Sequence, residues 1–206
     1  MQRGPDGRGL RLRDASGAEA RIQTDAFGRV ARLAYPGGGQ EYRRYDADGL
    51  LQSVTLPGGE RWEFAHDGAG QLLEIVLPGG RKTSVQYDAA GRVSGVTRSF
   101  AQPVHYRHGQ DGLLRERING RGQRVEYAYD AAGRLTSKKT PTATWRYRYD
   151  ERGNLLEASD GQFTLRHSYD RLGRQVRTEY PQWGKSIGYE YDTHARLAAR
   201  TDPQER

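Results

Sequence analysis

The chain has 206 residues, 34% of them hydrophobic, and a mean hydropathy of −0.95, too polar for a conventional globular core of that size. Thirteen Tyr and three Trp argue against disorder, and there is neither an apolar run of about 18 residues nor a secretory-type apolar stretch between Met1 and Leu12. Zero Cys excludes disulfides and thiolate metal sites, and the +7 charge, spread along the chain, is a weaker nucleic-acid signal than a basic stripe on one element.

In chain order, the first 24 residues loosely carry two turn signals, Asp6-Gly7-Arg8-Gly9 and Asp14-Ala15-Ser16-Gly17. One unit then recurs. Thr24-Asp25-Ala26-Phe27-Gly28-Arg29-Val30 is followed in register by Tyr45-Asp46-Ala47-Asp48-Gly49, His66-Asp67-Gly68-Ala69-Gly70 and Tyr87-Asp88-Ala89-Ala90-Gly91-Arg92-Val93. A degenerate copy at His108-Gly109-Gln110-Asp111-Gly112 precedes Tyr129-Asp130-Ala131-Ala132-Gly133-Arg134, Tyr149-Asp150-Glu151-Arg152-Gly153, Tyr169-Asp170-Arg171-Leu172-Gly173 and Tyr191-Asp192-Thr193-His194-Ala195. The Asp slot falls at 25, 46, 67, 88, 109, 130, 150, 170 and 192, an interval of 20 to 22 residues that defines a repeat architecture.

Each unit reads as strand, turn, strand, turn. An Asp bonds the backbone two residues on and a Gly supplies positive φ, so Asp25/Gly28, Asp46/Gly49, Asp67/Gly70, Asp88/Gly91, Asp130/Gly133, Asp150/Gly153 and Asp170/Gly173 predict tight reversals. Asp192 stands in the same slot, and Tyr45, Tyr87, Tyr129, Tyr149, Tyr169 and Tyr191 are expected to pack repeat on repeat. The entering strands alternate with period two, putting Trp62, Phe64 and His66, or Trp145, Tyr147 and Tyr149, on one face and Arg61 and Glu63, or Arg146 and Arg148, on the other. The leaving strands alternate less cleanly, apolar in Leu73, Ile75 and Leu77 but polar in Arg115, Arg117, Asn119, Thr136 and Lys138. A second punctuation, Pro36-Gly37-Gly38, Pro57-Gly58-Gly59, Pro78-Gly79-Gly80 and later Pro103, Asn119-Gly120, Pro141, Asp160-Gly161, Pro181 and Pro203, reverses the chain again.

The expected fold is all-β: one array of nine to ten antiparallel hairpin repeats over 1–206, with no separate domain. Among the five His, His66 and His108 occupy a Tyr slot and read as aromatic substitutes, so neither metal site nor cofactor is expected. The recurring Asp each have a complete turn explanation, and no catalytic residue is assigned. Aromatic residues alternating with Arg leave open a binding surface for glycan or polyanion, against the simpler reading of cross-strand packing; nucleic acid is not the expected partner.

The Tyr-Asp-x-x-Gly-Arg-Leu unit, with Leu-Pro-Gly-Gly between copies, closely resembles the RHS/YD-repeat family of bacterial polymorphic toxin shells, toxin-complex C components and teneurins, over roughly residues 5 to 203. The resemblance implies an antiparallel sheet that winds into a hollow shell, enclosing a toxin domain made in the bacterial cytoplasm and exported by a specialised, type VI-like route. No PAAR-like segment, toxin domain or self-cleaving aspartate is recognised here, and Asp202-Pro203 matches only a dipeptide. The expected role is therefore a non-enzymatic stretch of shell wall whose partners are a toxin or cargo and further shell segments. The alternatives are a glycan- or polyanion-binding module, and a partial repeat chain that complements a larger partner through open strand edges.

Overall fold

A computed structural model describes residues 2–3, 9–13 and 17–202, so the turn slots at Asp6 and Asp14 and the punctuation at Pro203 lie outside the described residues. The chain divides into two compact units, residues 1–103 and 104–206. The first holds β1 (Gln2–Arg3), β2 (Gly9–Arg13), β3 (Glu19–Thr24), β4 (Val30–Ala34), β5 (Gln40–Tyr45), β6 (Leu51–Thr55), β7 (Arg61–His66), β8 (Leu72–Val76), β9 (Lys82–Tyr87) and β10 (Val93–Arg98). The second holds β11 (Val104–His108), β12 (Leu114–Ile118), β13 (Arg124–Tyr129), β14 (Leu135–Lys139), β15 (Thr144–Tyr149), β16 (Leu155–Ser159), β17 (Thr164–Tyr169), β18 (Gln175–Tyr180), a 3-10 turn (Pro181–Trp183), β19 (Lys185–Tyr191) and β20 (Leu197–Thr201). Within each unit, successive strands pair antiparallel, and the fold is all-β.

The Asp turns and the Pro-Gly turns after Tyr35, Leu56 and Leu77 make the same reversal, whereas Thr140 pairs with Ala143 and Asp160 with Phe163, one residue shorter, and Pro181 opens a 3-10 turn. At the Asp turn, Asp88 N donates to Arg92 O at 2.8 Å and Gly91 N donates to Asp88 O at 2.9 Å. At the Pro turn, Leu56 N donates to Glu60 O at 2.8 Å and Gly59 N to Leu56 O at 2.9 Å. The second bond closes a four-residue turn, and the residue that follows the turn's centre must swing into the left-handed region, where Gly91 sits at φ 76° and Gly59 at φ 90°.

The imperfect alternation of the leaving strands has a structural cause. Beyond every Asp turn the register slips by one residue. Tyr87 faces Val93 but Gln86 faces Gly95, leaving Ser94 as the extra residue of a β-bulge, and Tyr149 faces Leu155 while Arg148 faces Glu157, leaving Leu156. Thr24/Val30, Tyr45/Leu51, His66/Leu72, His108/Leu114, Tyr129/Leu135, Tyr169/Gln175 and Tyr191/Leu197 precede the same slip. A bulge inverts the parity of the residues after it, so a period-two reading carried through the turn puts side chains on the wrong face. In true register, Ile75 lies opposite Phe64 and Val54 opposite Arg43, while Lys138 lies between Tyr127 and Trp145, and Arg117 between Tyr106 and Val125.

No second layer covers these strands within either unit. Ala158 is the one buried hydrophobic side chain among the described residues; Gly95 is buried as well, and the other buried residues are polar: Glu41, Ser53, Glu116 and Thr178. Cohesion therefore rests on backbone ladders and local side-chain bonds rather than on an enclosed apolar core. Glu41, only 6% exposed, shows how charge is accommodated: Arg43 Nε donates to its carboxylate at 2.7 Å and the Tyr35 hydroxyl at 2.8 Å.

The turn geometry sets opposite expectations at two positions. A Cβ at Gly133 would meet only Leu113 Cδ1 at 3.8 Å, so the cost of Gly133→Val comes from the backbone at φ +78°, and a loss on the order of 1 kcal/mol or more is expected in thermal melts. Ala195, in the equivalent slot of the last turn, holds φ 61° with a side chain, so Ala195→Gly should raise stability by a few tenths to about 1 kcal/mol. Equal melting of the wild type and both variants would refute the turn assignment.

Candidate functional site: the Asp, Arg and Tyr junction

Each turn Asp is engaged on both carboxylate oxygens where an Arg follows. Asp88 Oδ1 accepts from Ala90 N at 2.9 Å and Arg92 N at 3.0 Å, and its Oδ2 accepts from Arg92 Nε at 2.8 Å. Asp25, Asp130, Asp170 and Asp192 repeat this arrangement with Arg29, Arg134, Arg174 and Arg196 at 2.7, 2.7, 2.6 and 2.7 Å. Asp150 uses Asn154, whose side-chain amide donates at 2.8 Å, while Asp46 and Asp67 accept from the backbone of Leu50 and Gln71. In the degenerate copy Gly109 closes the turn, and Asp111, two residues on, takes over the ion pair with Arg115.

At Asp25, Asp88, Asp130, Asp150, Asp170 and Asp192 these bonds hold the carboxyl below its ordinary range. For Asp88, Asp130, Asp170 and Asp192 the leading cause is the backbone N–H of the Arg four residues on, supported by its guanidinium; for Asp150 it is the Asn154 side chain. At Asp25 desolvation opposes the shift as the largest single influence, and the bonds from Arg29 together outweigh it.

Where the bulge interrupts the ladder, the Tyr slot supplies the missing bond. Pairing between β8 and β9 runs only from Glu74/Ser84 to Val76/Lys82, and there the Tyr87 hydroxyl donates to Leu72 O at 2.9 Å. Tyr45 reaches Val30 O, Tyr149 reaches Leu135 O, Tyr169 reaches Leu155 O and Tyr191 reaches Gln175 O, at 2.8 to 3.0 Å. In three of these junctions the Arg of the preceding turn also lies over the ring: Arg29 over Tyr45 at 4.5 Å, Arg134 over Tyr149 at 5.2 Å and Arg174 over Tyr191 at 4.8 Å. Arg115 covers Tyr129 at 5.2 Å. At the turns of Asp25, Asp130 and Asp170 the junction is thus a chain from Asp to Arg to Tyr that links the turn to the repeat after it.

Tyr rings do not stack on one another in these slots. Two strand spacings, about 9.6 Å, separate them, and at Tyr45, Tyr129, Tyr149 and Tyr191 an Arg lies over the ring. The ring pairs of the described residues lie elsewhere, Phe163 with Trp183 and Tyr180 with Trp183. The functional residues missed from sequence are Arg29, Arg92, Arg134, Arg174 and Arg196; their fixed place four residues after Asp was the available signal. Arg146 and Arg148 lie on the face opposite Trp145 and Tyr147, so β15 does not present a mixed Arg and aromatic surface, whereas Lys138 lies between Tyr127 and Trp145 and Arg117 between Tyr106 and Val125. Among the described residues no group of three or more His, Asp or Glu could hold a metal.

The geometry agrees with relationships to known proteins. The family described as RHS Repeat matches residues 45–82 and 66–101, and the Teneurin YD-shell family matches residues 113–174. Among solved structures, the TcdB2-TccC3-Cdc42 crystal structure resembles this chain with a TM-score of 0.61 at 14% identity, over 94% of this chain and 16% of that chain. The Photorhabdus luminescens Tc holotoxin pore gives a TM-score of 0.58 at 14% identity, over 94% and 15%. This chain therefore spans about one-sixth of the length of the chains it resembles. Among curated protein sequences, none matches it.

Two outcomes follow from the junction. A carboxyl whose folded pKa is depressed contributes stability that is complete above its unfolded value, about 3.9, and that disappears as pH falls through the lower folded value. Melting temperature should therefore fall on acidification below about pH 4, and Asp130→Asn, which keeps the Oδ1 acceptor but loses the charge facing Arg134, should make that fall shallower; an unchanged acid limb would show that the Asp130 pair contributes nothing. Separately, Tyr149→Phe removes the donor to Leu135 O and should cost about 1 kcal/mol in urea unfolding. No change in midpoint would mean that water serves that carbonyl equally well.

Proposed function

Because the chain belongs to the RHS/YD-repeat family, we propose that it forms a stretch of shell wall that encloses a toxin or other cargo domain. The observation that carries this reading is the junction itself: the Tyr hydroxyl bond recurs at five turns and the full Asp, Arg and Tyr linkage at three of them, which suits a surface built for stiffness and extent rather than for one reaction. The chemistry of the carboxylates supports the same conclusion. A general acid needs a raised pKa, whereas the shifted turn Asp are lowered and engaged in structural bonds, so no catalytic role is assigned.

Enclosure would be steric: a wall hydrogen-bonded along its length keeps the cargo from contacts outside, and the partners would be the cargo and further shell segments. Type VI-like export of such a shell belongs to the same proposal. No helix among the described residues is long and apolar enough to cross a membrane.

Limited proteolysis of this chain expressed together with its flanking coding sequence tests the enclosure. A flanking domain should resist digestion while the wall is intact and become sensitive when Gly133→Val and Gly153→Val weaken two adjacent turns. Digestion at one rate with wild-type and weakened walls would sink the proposal.

A further inference from the structure

A cavity of about 950 Å³ lies on the charged face of β2 to β5, and the chain leaves its positive charge largely unbalanced. In the register of the sheet, Arg11 of β2 faces Arg21 of β3, and Gln23 of β3 faces Arg32 of β4. The three Arg therefore share one face and line the cavity from three successive strands. Gly9 faces Gln23 and Ala34 faces Arg21, so the floor between the Arg carries little side chain.

Among the described residues of β2 to β5, Glu19 is the one carboxylate on this face, against Arg11, Arg13, Arg21, Arg32 and Arg44. Its Oε1 accepts from Arg21 Nε at 2.7 Å and lies 3.8 Å from Arg11 Nε. Arg32 pairs with no carboxylate among the described residues. Its Nη1 donates to Gln23 Oε1 at 3.2 Å, its guanidinium lies 5.7 Å from the centre of the Tyr42 ring, and its Nε is buried without a hydrogen-bond partner. Other repeats balance the same place. The first pairing beyond the bulge is made by Arg32 in β4 but by Glu74, Glu116 and Glu157 in β8, β12 and β16. Each of those Glu bonds a cation of the following strand, Lys82, Arg124 or Arg166, at 2.9 to 3.0 Å.

We propose that this cavity binds a compact oligoanion carrying two or more phosphate or sulfate groups, held by Arg11, Arg21 and Arg32. Like charges directly opposite across a strand pair repel, and an anion between Arg11 and Arg21 relieves that repulsion. A carboxylate presents two oxygens in one plane, a role Glu19 already fills, whereas a tetrahedral oxyanion directs oxygens toward several guanidinium forks at once. Arg11 and Arg32 stand two strand spacings apart, about 9.6 Å, which suits linked groups better than a single ion. The site goes beyond the wall reading and does not depend on it.

The net charge of +7 attracts anions to the whole surface, so the control is a cation elsewhere on the charged face. Calorimetric titration of the full chain with tripolyphosphate, and separately with a trisulfated heparin disaccharide, should saturate at one site with at least one of them at about 0.15 M salt. Arg11→Gln and Arg32→Gln should each weaken binding about tenfold. Arg148→Gln, opposite Glu157 on β15, should leave it unchanged. Melting curves without anion that match the wild type show that the variants fold. The tighter of the two probes identifies the source, phosphate or sulfated sugar, and either supports the proposal. Absence of saturation with both probes overturns it, as does equal weakening by all three substitutions, which assigns binding to diffuse charge. A hexaglutamate peptide that binds more tightly than both probes gives the cavity to an acidic protein segment instead and overturns the oxyanion assignment.

Discussion

Five carbonyls beside β-bulges accept hydrogen bonds from tyrosine hydroxyls, and the cohesion of the sheet depends on that provision. Within each unit the strands form a single layer whose buried residues are mostly polar, so a backbone group left without a partner cannot be offset by an apolar core nearby. A bulge beyond each Asp turn ends the ladder early on the side facing the next repeat. Tyr45, Tyr87, Tyr149, Tyr169 and Tyr191 span the resulting gap, each from one repeat to the one before. The ring gives the reach and the hydroxyl gives the bond, which is why Phe would satisfy only half of the requirement.

Charge reinforces the same contact. An isolated exposed Asp–Arg pair contributes little to stability, because water screens it and two side chains lose freedom. Here the Asp is already fixed by two backbone N–H groups, so the Arg is held in place by a group that has little freedom left to lose, and its flat guanidinium can then lie on a Tyr ring. Where the slot holds Asn154 or Gln71 instead, the turn remains but the cation over the ring is gone, and Gln71 spends its amide on Gly91 O of the next turn. The repeats thus tolerate substitution at the Arg while keeping the turn and the Tyr hydroxyl bond.

Cationic residues enter the aromatic face in both units, with Arg43 beside Tyr45 in the first and two further positions in the second. Leu33, Val54, Ile75 and Val96 occupy the position after the bulge in β4, β6, β8 and β10, and Arg117 and Lys138 occupy it in β12 and β14. Such an exchange is accommodated because no second layer has to fit against this face within the unit.

The sequence by itself determined the period, the strand and turn order, the all-β class and the family, because spacing, Asp with Gly, and Pro with Gly are local chemistry that each repeat states anew. It also put Trp145, Tyr147 and Tyr149 on one face, since nothing interrupts that strand. The leaving strands were illegible for a definite reason. The residue that goes unpaired is Ser94 in one copy, Leu156 in another and Thr136 in a third, with no shared side chain to announce a bulge. Only the tertiary structure decided what Tyr and Arg do, because their partners lie 14 to 17 residues away: a carbonyl carries no sequence signature, and an Arg four residues after Asp looks like a local ion pair until the ring of the next repeat is placed beneath it.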